Sequence, residues 1–439
     1  MLAHPVRLVV LGFVVTVAAT ALLLLAPVAT ESGRTTSPLV AVFTATGAAS
    51  GALAVVDTGA HWTTFGEVVI VGAVQLGGLG FMTSASLLGL LVSRRLGVRI
   101  RLLAAAETQS FGLGDVRRVV RAVALVTVTV EAVIAAVLFL RLWLTYDRSP
   151  ARAAYESVFH SITAFNNAGH SLYSDNLTGF VADPVVILAV TGGVILGGLG
   201  FPVLFELRHE LRTPRYWSLH TRVTLLGYGI LAVGGLIAIA ATEWRNAATL
   251  GAHGVGDKLL AASFASINAR TAGFSSIDYA DVDASTLVVT DVLMFIGGGS
   301  ASTAGGIKIT TFMILFYAIL AEARGDETVD AFNRQISPAA LRQALAVALL
   351  GVALLVVGTL CLLSVSDHPL DQVLFEVTSA FGTVGLSTGI TDELPAFGQC
   401  VLIMLMFIGR TGPIAVASAL ALRERRRLYR LPEERPIVG

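Results

Sequence analysis

The stretch FEVTSAFGTVG at residues 375–385 decides how this chain folds, because the sequence contains four versions of it. Each version begins with Phe, continues through small and polar residues and ends at a glycine. The other three read FTATGAASG at 43–51, FHSITAFNNAG at 159–169 and FASINARTAG at 264–273. The final glycines are 118, 104 and 112 residues apart, close to a quarter of the 439-residue chain. This regular spacing indicates an internal fourfold repeat.

A long apolar segment with its own glycine follows each of these stretches. LGGLGF occurs at 76–81 and 196–201, and FIG occurs at 295–297 and 407–409. The glycine of the apolar segment comes 26, 28, 24 and 24 residues after the glycine that ends the short stretch. Chance similarity between small residues does not easily produce four pairs in phase.

The composition indicates a membrane protein. The chain is 55% hydrophobic and only 14% charged, and its mean hydropathy is +0.77, whereas soluble domains carry about 25% charged residues. These values argue against a soluble enzyme, a nucleic-acid binder and a disordered scaffold. The two cysteines, Cys361 and Cys400, provide neither a disulfide framework nor the spacing of a metal site.

Eight apolar runs are long enough to cross a membrane, which takes about 20 residues. They cover residues 7–28, 64–93, 118–144, 184–207, 222–242, 286–320, 339–364 and 397–422. The first could be a secretory signal peptide, but its apolar run exceeds the usual length of about 7–15 residues, so a retained helix is expected. Eight spans put both termini on one side, and that side carries 21 Lys and Arg against six on the other. The positive-inside rule then predicts a multi-pass protein of the plasma membrane with both termini in the cytoplasm.

The short stretches lie between the spans of each pair and are too short to cross. They are expected to be re-entrant half-helices followed by extended backbone, which a membrane tolerates only where protein buries it or water lines it. We therefore predict an all-α polytopic membrane protein with eight transmembrane helices and four pore half-helices. It would consist of four pseudo-symmetric helix, re-entrant P-loop, helix repeats around a central pore.

The predicted domain boundaries follow from the repeat. Repeat 1 covers residues 1–95 with pore loop 38–58, and repeat 2 covers 96–212 with pore loop 152–176. Repeat 3 covers 213–322 with pore loop 257–280 and a broken second helix at 297–306. Repeat 4 covers 323–439 with pore loop 370–392 and a basic cytoplasmic tail.

The loops could replace the water around a monovalent cation. Glycine allows backbone angles that aim successive carbonyls at a shared axis, and a ring of carbonyls substitutes for a hydration shell. The expected ion-binding carbonyls belong to Ser50, Gly51, Ala168, Gly169, Ala272, Gly273, Val384 and Gly385. Neutral side chains expected to support this filter are Asn166, Asn167, Thr271 and Thr383. The loops lack the carboxylates that a divalent ion needs, and no transition-metal site is expected. The alternative that these glycines only permit close helix packing fits LGGLGF well and explains the four loops poorly.

A second glycine-rich segment, GGGSASTAGG at 297–306, should break the helix that contains it. It is either a flexible kink or a loop beneath the carbonyl ring that gates conduction. The expected gate residues are Gly297, Gly298, Gly299, Ser300, Thr303, Gly305, Gly306, Lys308 and Arg410. Arg410 lies in mid-span, where a charge costs at least about 2.5–3.5 kcal/mol and usually faces the protein interior. Arg270 is expected to brace its half-helix against a carboxylate such as Glu376.

With these residues in view, the chain resembles the Trk/Ktr/HKT superfamily of potassium transporters, and most closely its KtrB-type membrane subunits. The resemblance runs from about residue 8 to residue 422. The motifs that carry it are VVDTG (55–59), QLGGLGF (75–81), AFNNAG (164–169), LGGLGFPV (196–203), ARTAGF (269–274), GGGSASTAGGIK (297–308), SAFGTVGLSTG (379–389) and FIGRTGP (407–413). It implies one filter glycine per repeat, a gating loop at 297–306 and an arginine below it. It also implies a homodimer, a cytosolic ring of nucleotide-binding regulatory subunits of the RCK type, and uptake that is often sodium-dependent.

One filter position stays open at this point. Family members usually have Thr-Gly-Leu at a fixed distance before VVDT, and counting back from Asp57 reaches Ala52 rather than Gly51. The leading hypothesis is gated potassium uptake, and the alternative is a sodium-selective or non-selective cation pathway of the same architecture. An intramembrane enzyme would need a nucleophile–base pair or paired carboxylates, and Glu131 stands alone in its span. No cofactor and no nucleic-acid partner is expected; K⁺ is the expected transported ion and Na⁺ is possible.

Overall fold

The computed structural model describes residues 5–95 and 116–422, and the surroundings of side chains within 10–80 and 119–412. The arginine-rich segments at 94–121 and 423–435 lie mostly outside these ranges. The described chain is almost entirely helical, and the one sheet within it is a two-stranded hairpin, β1 (Asp330–Ala331) and β2 (Arg334–Gln335), with Asp330 opposite Gln335.

Long and short helices alternate along the chain. The first half contains α1 (Pro5–Leu24), α2 (Pro38–Ser50), α3 (Thr58–His61), α4 (Thr64–Arg95), α5 (Val116–Thr145), α6 (Pro150–Phe165), α7 (Pro184–Leu199) and α8 (Phe201–Glu210). The second half contains α9 (Leu219–Glu243), α10 (Val255–Asn268), α11 (Ala284–Phe295), α12 (Ile309–Arg324), α13 (Pro338–Leu363), α14 (Leu370–Gly382) and α15 (Ala396–Leu422). The short stretches of the sequence form α2, α6, α10 and α14, so the predicted half-helices are present as helices.

Local sequence explains where several of these helices begin. Ser37, Ser149 and Ser337 each precede a proline, and each side chain accepts a hydrogen bond from a backbone N–H three residues later. Ser at the N-cap satisfies a donor that the first helical turn leaves free, and Pro fits the first helical position because it has no N–H to lose. The same Ser-Pro signal therefore starts α2, α6 and α13.

The short helices form the centre of the molecule. The phenylalanines that open the four sequence stretches, Phe43, Phe159, Phe264 and Phe375, are at most 2% exposed. The long helices instead present apolar side chains to the outside, and Leu125, Val233 and Val356 are each more than half exposed. An apolar exterior around a core that contains many small and polar residues is the pattern of a protein surrounded by lipid.

Each of α2, α6, α10 and α14 also packs against the helix that follows the pore loop of the preceding quarter of the chain. The pairs are α6 with α4, α10 with α7, α14 with α11, and α2 with α15. The last pair joins the first quarter to the fourth, so the four quarters close on one another.

Three of the described helices are long and apolar enough to cross a membrane alone. These spans are Val119–Thr145, Leu219–Glu243 and Pro338–Leu363, and α7 and α8 qualify together as a pair bent by 101°. Shorter apolar helices at Val10–Leu24, Thr64–Gly80, Ala284–Phe295 and Ala396–Gly412 overlap the other four predicted runs. The described residues thus provide three or four full spans by length and composition, and the figure of eight stays a prediction.

Candidate ion-binding site

The short helices lead into residues with left-handed backbone conformation. These residues are Gly51 (φ +70°), Asn167 (φ +52°), Thr271 (φ +72°) and Thr383 (φ +51°). After three of them the next N–H turns back to a carbonyl five residues earlier, from Ala52 to Gly47, Ala168 to Thr163 and Val384 to Ser379. This is the Schellman ending of a helix, which favours glycine at the left-handed position. Asn or Thr there is uncommon and is retained only where the surroundings hold it.

Two residues further on, three of the predicted filter glycines meet. Gly169, Gly273 and Gly385 also have positive φ values, of 66°, 74° and 99°. A Cβ atom built on Gly169 would lie 2.6 Å from the Cα of Gly273, and one built on Gly273 would lie 3.2 Å from the Cα of Gly385. The latter atom would also overlap the carbonyl oxygen of Val384. Both the backbone angles and the close approach therefore require glycine here.

The first loop has a different register. Its left-handed residue corresponds to the helix-ending residue of the second and fourth loops, because the spacing from the buried phenylalanine is the same, whereas in the third loop Thr271 comes seven residues after Phe264. Eight residues separate Phe43 from Gly51, Phe159 from Asn167, and Phe375 from Thr383. Gly51 therefore ends α2, as Asn167 ends α6 and Thr383 ends α14.

The carbonyl oxygens that lie next to Gly169, Gly273 and Gly385 give the same register for the first loop. The oxygens next to the glycines follow one order: Ala272 at Gly169, Val384 at Gly273 and Ala52 at Gly385. Ala52 and Leu53 are thus the counterparts of Ala168 and Gly169 in the first loop. The pair Ser50 and Gly51 and the alternative Ala52 stay predictions of ion-binding carbonyls, and this comparison of backbone positions favours Ala52 and Leu53. The spacing from Phe43 left the register open in the sequence, because the filter glycine follows the phenylalanine by ten residues in the second and fourth loops and by nine in the third.

The predicted support residues have two kinds of surroundings. Asn166 is bonded: three acceptors lie around the two hydrogens of its Nδ2, namely Gln75 Oε1, Glu131 Oε1 and the Ile162 carbonyl, at 2.9, 3.1 and 2.9 Å. The polar side-chain atoms of Asn167, Thr271 and Thr383 are buried without a hydrogen-bond partner among the described residues. Buried polar atoms of this kind usually bind water or an ion.

The segment 297–306 interrupts a helix, as its composition predicts. Helix α11 ends at Phe295 and α12 begins at Ile309. The two ends of the interruption are joined, since Gly297 N–H donates to the Ile307 carbonyl at 2.7 Å and Ile309 N–H donates to the Gly298 carbonyl at 3.0 Å. The segment is therefore a closed loop with defined ends.

This loop packs directly beneath the helix ends. The side chain of Thr383 presses on Gly305, where a Cβ atom would overlap its Oγ1, and Thr271 Cγ2 would lie 3.2 Å from a Cβ atom on Gly297. Thr303 Oγ1 donates to the carbonyl of Phe165, the last residue of α6, at 3.2 Å. The left-handed residues thus separate the glycine cluster from the loop.

The bend between α7 and α8 holds the other side of the loop. At Gly200 (φ +94°) the chain bends by 101° between α7 and α8. Backbone N–H and carbonyl groups near the bend therefore lack partners within their own helix. Gly299 N–H donates to the Gly198 carbonyl at 2.7 Å, Thr303 N–H donates to the Gly197 carbonyl at 3.2 Å, and Phe201 N–H donates to the Ala301 carbonyl at 3.2 Å. The apolar run at 184–207 was expected to be a single span, although glycines at 197, 198 and 200 mark the bend.

Two buried cations bind carbonyls of the loop. Lys308 Nζ donates to the carbonyls of Ala304 and Gly305, and Arg410 Nη1 donates to the carbonyl of Thr303. Both residues were expected at this position. Their side chains therefore hold the loop through its backbone carbonyls.

One expected partnership is wrong, and one residue that looks isolated has partners. Arg270 does not pair with Glu376: its guanidinium lies over the ring of Tyr228, 3.8 Å from the centroid, and donates to the Tyr228 carbonyl at 3.1 Å. Glu376 instead accepts hydrogen bonds from Ser387, Thr388 and Thr391 and so ties down the backbone that follows Gly385. Glu131, which looks isolated in the sequence, contacts Asn166 and Gln75.

The chemistry available at the glycine cluster is that of backbone carbonyls and neutral side chains. Among the described residues, no group of three or more His, Cys, Asp or Glu side chains could hold a metal ion. Carbonyl oxygens suit a weakly hydrated monovalent cation, because they replace water without adding a full negative charge.

Comparison with known proteins finds similarity over almost the whole chain. The TrkH family model, described as cation transport protein, matches residues 12–426. Ktr system potassium uptake protein B of Bacillus subtilis is 39% identical over 436 residues, which are 99% of this chain and 97% of that protein. The protein of the same name from Vibrio alginolyticus is 36% identical over 435 residues, covering 99% and 94%. Potassium/sodium uptake protein NtpJ of Enterococcus hirae is 33% identical over 448 residues, covering 99% and 97%.

A solved structure shares the fold. The potassium transporter TrkH from Vibrio parahaemolyticus aligns with a TM-score of 0.70 over 97% of this chain and 86% of that one. The two sequences are 17% identical.

Proposed function

Because this chain belongs to the TrkH family of cation transport proteins, we propose that it takes up potassium ions across the plasma membrane through a selective, gated pore. The family consists of cation transporters rather than enzymes. Two relatives that match along nearly their whole length carry the name potassium uptake protein.

One observation carries the proposal: Gly169, Gly273 and Gly385 from three distant parts of the chain approach one another at backbone distance. Glycines also allow close approach where helices pack, but these three lie in the loops beyond the helix ends. It is expected where carbonyls must converge on a dehydrated ion. The closed order of contacts between the four quarters supports a single axis through this point.

The filter would therefore consist of four helix–loop–helix repeats with the boundaries given above. Its carbonyls would come from Ala168, Gly169, Ala272, Gly273, Val384 and Gly385, and in the first loop from Ala52 and Leu53. Asn167, Thr271 and Thr383 would line its inner end, since their polar atoms are buried and have no hydrogen-bond partner among the described residues. Asn166 would support the second loop from outside the ion path.

The loop 297–306 would be the gate. Its contacts with Thr271 and Thr383 support this role, because a path that leads inward from the glycines would meet the loop there. Backbone hydrogen bonds to the α7–α8 bend and the bonds from Lys308 and Arg410 would hold it closed. Movement of the loop would have to break these bonds.

Control of that movement would come from a partner. The resemblance implies a homodimer on a cytosolic ring of nucleotide-binding subunits, with both termini of this chain in the cytoplasm. Sodium dependence would be a property of the same assembly.

Transport of sodium is the second candidate function. The name of the Enterococcus hirae relative includes both potassium and sodium. Carbonyl rings discriminate between these ions by small differences in geometry, so residue types do not decide the preference.

Flux through purified protein tests both candidates. The chain is reconstituted into lipid vesicles, and uptake of radioactive rubidium is measured with excess external K⁺, Na⁺ or choline. Potassium uptake predicts strong competition by K⁺ and weak competition by Na⁺. Equal competition by K⁺ and Na⁺ would favour the second candidate, and flux no greater than in empty vesicles, with and without a cytosolic partner, would overturn the proposal.

A further inference from the structure

We infer that Glu131 is a positioning residue for the second pore loop: through Asn166, its carboxylate fixes the backbone that leads to Gly169. The inference rests on the proposed function, because it assigns Glu131 a part in ion selectivity.

The carboxylate connects three helices. Glu131 lies in the middle of α5 and is 8% exposed. Its Oε1 accepts a hydrogen bond from Asn166 Nδ2 at 3.1 Å, and its Oε2 accepts one from Gln75 Nε2 of α4 at 3.4 Å. Asn166 Nδ2 also donates to Gln75 Oε1 at 2.9 Å. The three side chains therefore form a closed set of contacts in which Glu131 is a double acceptor.

The position of Asn166 makes this contact important for the loop. Asn166 directly follows the last residue of α6, and the backbone turns left-handed at the next residue, Asn167. Gly169 follows two residues later and contacts the backbone of Gly273. A shift of the Asn166 amide would pass directly into this turn, since no flexible linker separates them.

Helix α4 is shaped to receive the amide. A Cβ atom on Gly78 would overlap Asn166 Oδ1, so only glycine allows the amide to lie against this helix. Gln75 is one turn earlier on α4 and contacts the same amide. The counterparts of Asn166 in the other loops are Ser50, Arg270 and Gly382, and none of them carries an amide. The hydrogen bond between a loop amide and Glu131 is thus a feature of the second loop.

The cost of the arrangement argues for a specific role. A carboxylate in the middle of a membrane span is expensive and is usually functional. Asn166 Nδ2 carries two hydrogens and already has two acceptors at 2.9 Å, the Ile162 carbonyl and Gln75 Oε1, so Glu131 is not needed merely to satisfy that amide. Glu131 instead fixes the orientation of the Asn166 amide, because it holds the amide toward α4 and α5.

The experiment compares ion preference in variants of Glu131. Rubidium and sodium uptake are measured in vesicles that contain the full chain as wild type, Glu131→Leu or Glu131→Gln. Loss of hydrogen bonds to a charged group shifts binding energies by enough to lower the rubidium-to-sodium ratio about three- to tenfold in Glu131→Leu. Glu131→Gln keeps one acceptor oxygen and should give an intermediate ratio. Thr127→Val is the matched control, because Thr127 is one turn earlier on α5, 1% exposed and similar in shape to valine; its ratio should equal that of wild type.

A double-variant cycle tests whether Glu131 acts through Asn166. Asn166→Ala should lower the ratio by itself, and adding Glu131→Leu to it should cause no further change. A merely structural Glu131 would give less folded protein with an unchanged ratio, and independent sites would give additive losses. Either result would overturn the inference, and Glu131→Gln decides the question if Glu131→Leu does not fold. A wild-type protein without rubidium flux would instead count against the proposed function.

Discussion

The carbonyl oxygen of Phe165 lies so close to the backbone of Gly197 that a Cβ atom at that glycine would overlap it. Phe165 ends helix α6, and Gly197 belongs to helix α7, the next helix along the chain. Two further pairs repeat this relationship: Ala49 of α2 with Gly77 of α4, and Phe381 of α14 with Gly409 of α15. Gly77, Gly197 and Gly409 therefore seat the last turn of a short helix, whereas Gly297 of the third repeat lies against Gly305. Their reading as packing glycines agrees with these contacts.

Gly197→Ala should destabilise the protein, because the added methyl group meets a backbone oxygen that cannot move without shifting α6. Overpacking of this kind costs about 1–3 kcal/mol. The melting temperature in detergent should fall, and rubidium flux per folded molecule should change, since α6 leads into the filter. Gly192→Ala in the same helix is the control: nothing lies within 4 Å of its Cβ position, so a helix-favouring alanine should be neutral or stabilising there. Equal melting temperatures for the two variants would contradict the seating role of Gly197.

Gly385→Ser should weaken discrimination between potassium and sodium while leaving the protein folded. The new Cβ atom would lie 3.2 Å from the Ala52 carbonyl oxygen, a contact that a small backbone shift can relieve. That shift would alter the carbonyl ring. Gly389→Ser carries comparable backbone strain, at φ +93° against +99°, but its Cβ position is open. Rubidium uptake with Na⁺ as competitor should therefore change in the first variant only; equal changes in both would mean that strain, and not the ring, is responsible.

Arg410→Gln should raise leak through the closed pore. Arg410 donates to the Thr303 carbonyl of the proposed gate, and a hydrogen bond from a charged group is worth about 1.5–3 kcal/mol. Because about 1.4 kcal/mol corresponds to a factor of ten, flux without a regulatory partner should rise about tenfold. Deletion of part of 297–306 should act in the same direction. Arg324→Gln, at the exposed end of α12, should leave flux unchanged. Lower flux in Arg410→Gln would show that the loop supports the path and does not obstruct it.

Asp183→Ala should lower the melting temperature at neutral pH. Asp183 caps α7 through the N–H groups of Val185 and Val186 and also accepts hydrogen bonds from Arg141 and Tyr146. Loss of such a cap costs about 0.5–2 kcal/mol. Asp283 also precedes a helix, α11, but its side chain makes no capping hydrogen bond. Asp283→Ala should therefore have little effect, and a similar loss in both variants would refute the capping role.

The effect of Asp183 should depend on pH. Burial disfavours the charged carboxylate, but the hydrogen bonds from Arg141, Tyr146 and the backbone outweigh it and lower the pKa of Asp183 below 3.8. A lowered pKa in the folded state stabilises the protein above the unfolded pKa, and this contribution disappears as the pH falls through the folded pKa. The difference in melting temperature between wild type and Asp183→Ala should thus be constant at neutral pH and shrink below about pH 4. A difference that grows on acidification would contradict the sign of the shift.

Features that depend on nearby residues were predictable from the sequence. Ser-Pro pairs mark the starts of α2, α6 and α13, and the glycine-rich stretch at 297–306 interrupts a helix as expected. The placement of Lys308 and Arg410 beside that loop also followed from their positions within apolar segments. Features that depend on distant contacts were not predictable: the partner of Arg270, the contacts of Glu131 and the bend at Gly200 each involve residues that meet only after packing.

The first loop shows where the two kinds of information separate. Hydropathy, helix starts and helix breaks act over one or two turns, so the order of residues was enough to predict a helical membrane protein with short central helices. The register of the first loop depends on contacts between loops. It was seen only after folding that Ala52 and Leu53, and not Ser50 and Gly51, are the counterparts of Ala168 and Gly169. A glycine can end a helix or allow close approach of two backbones, and the neighbours that packing brings to it decide which of the two it does.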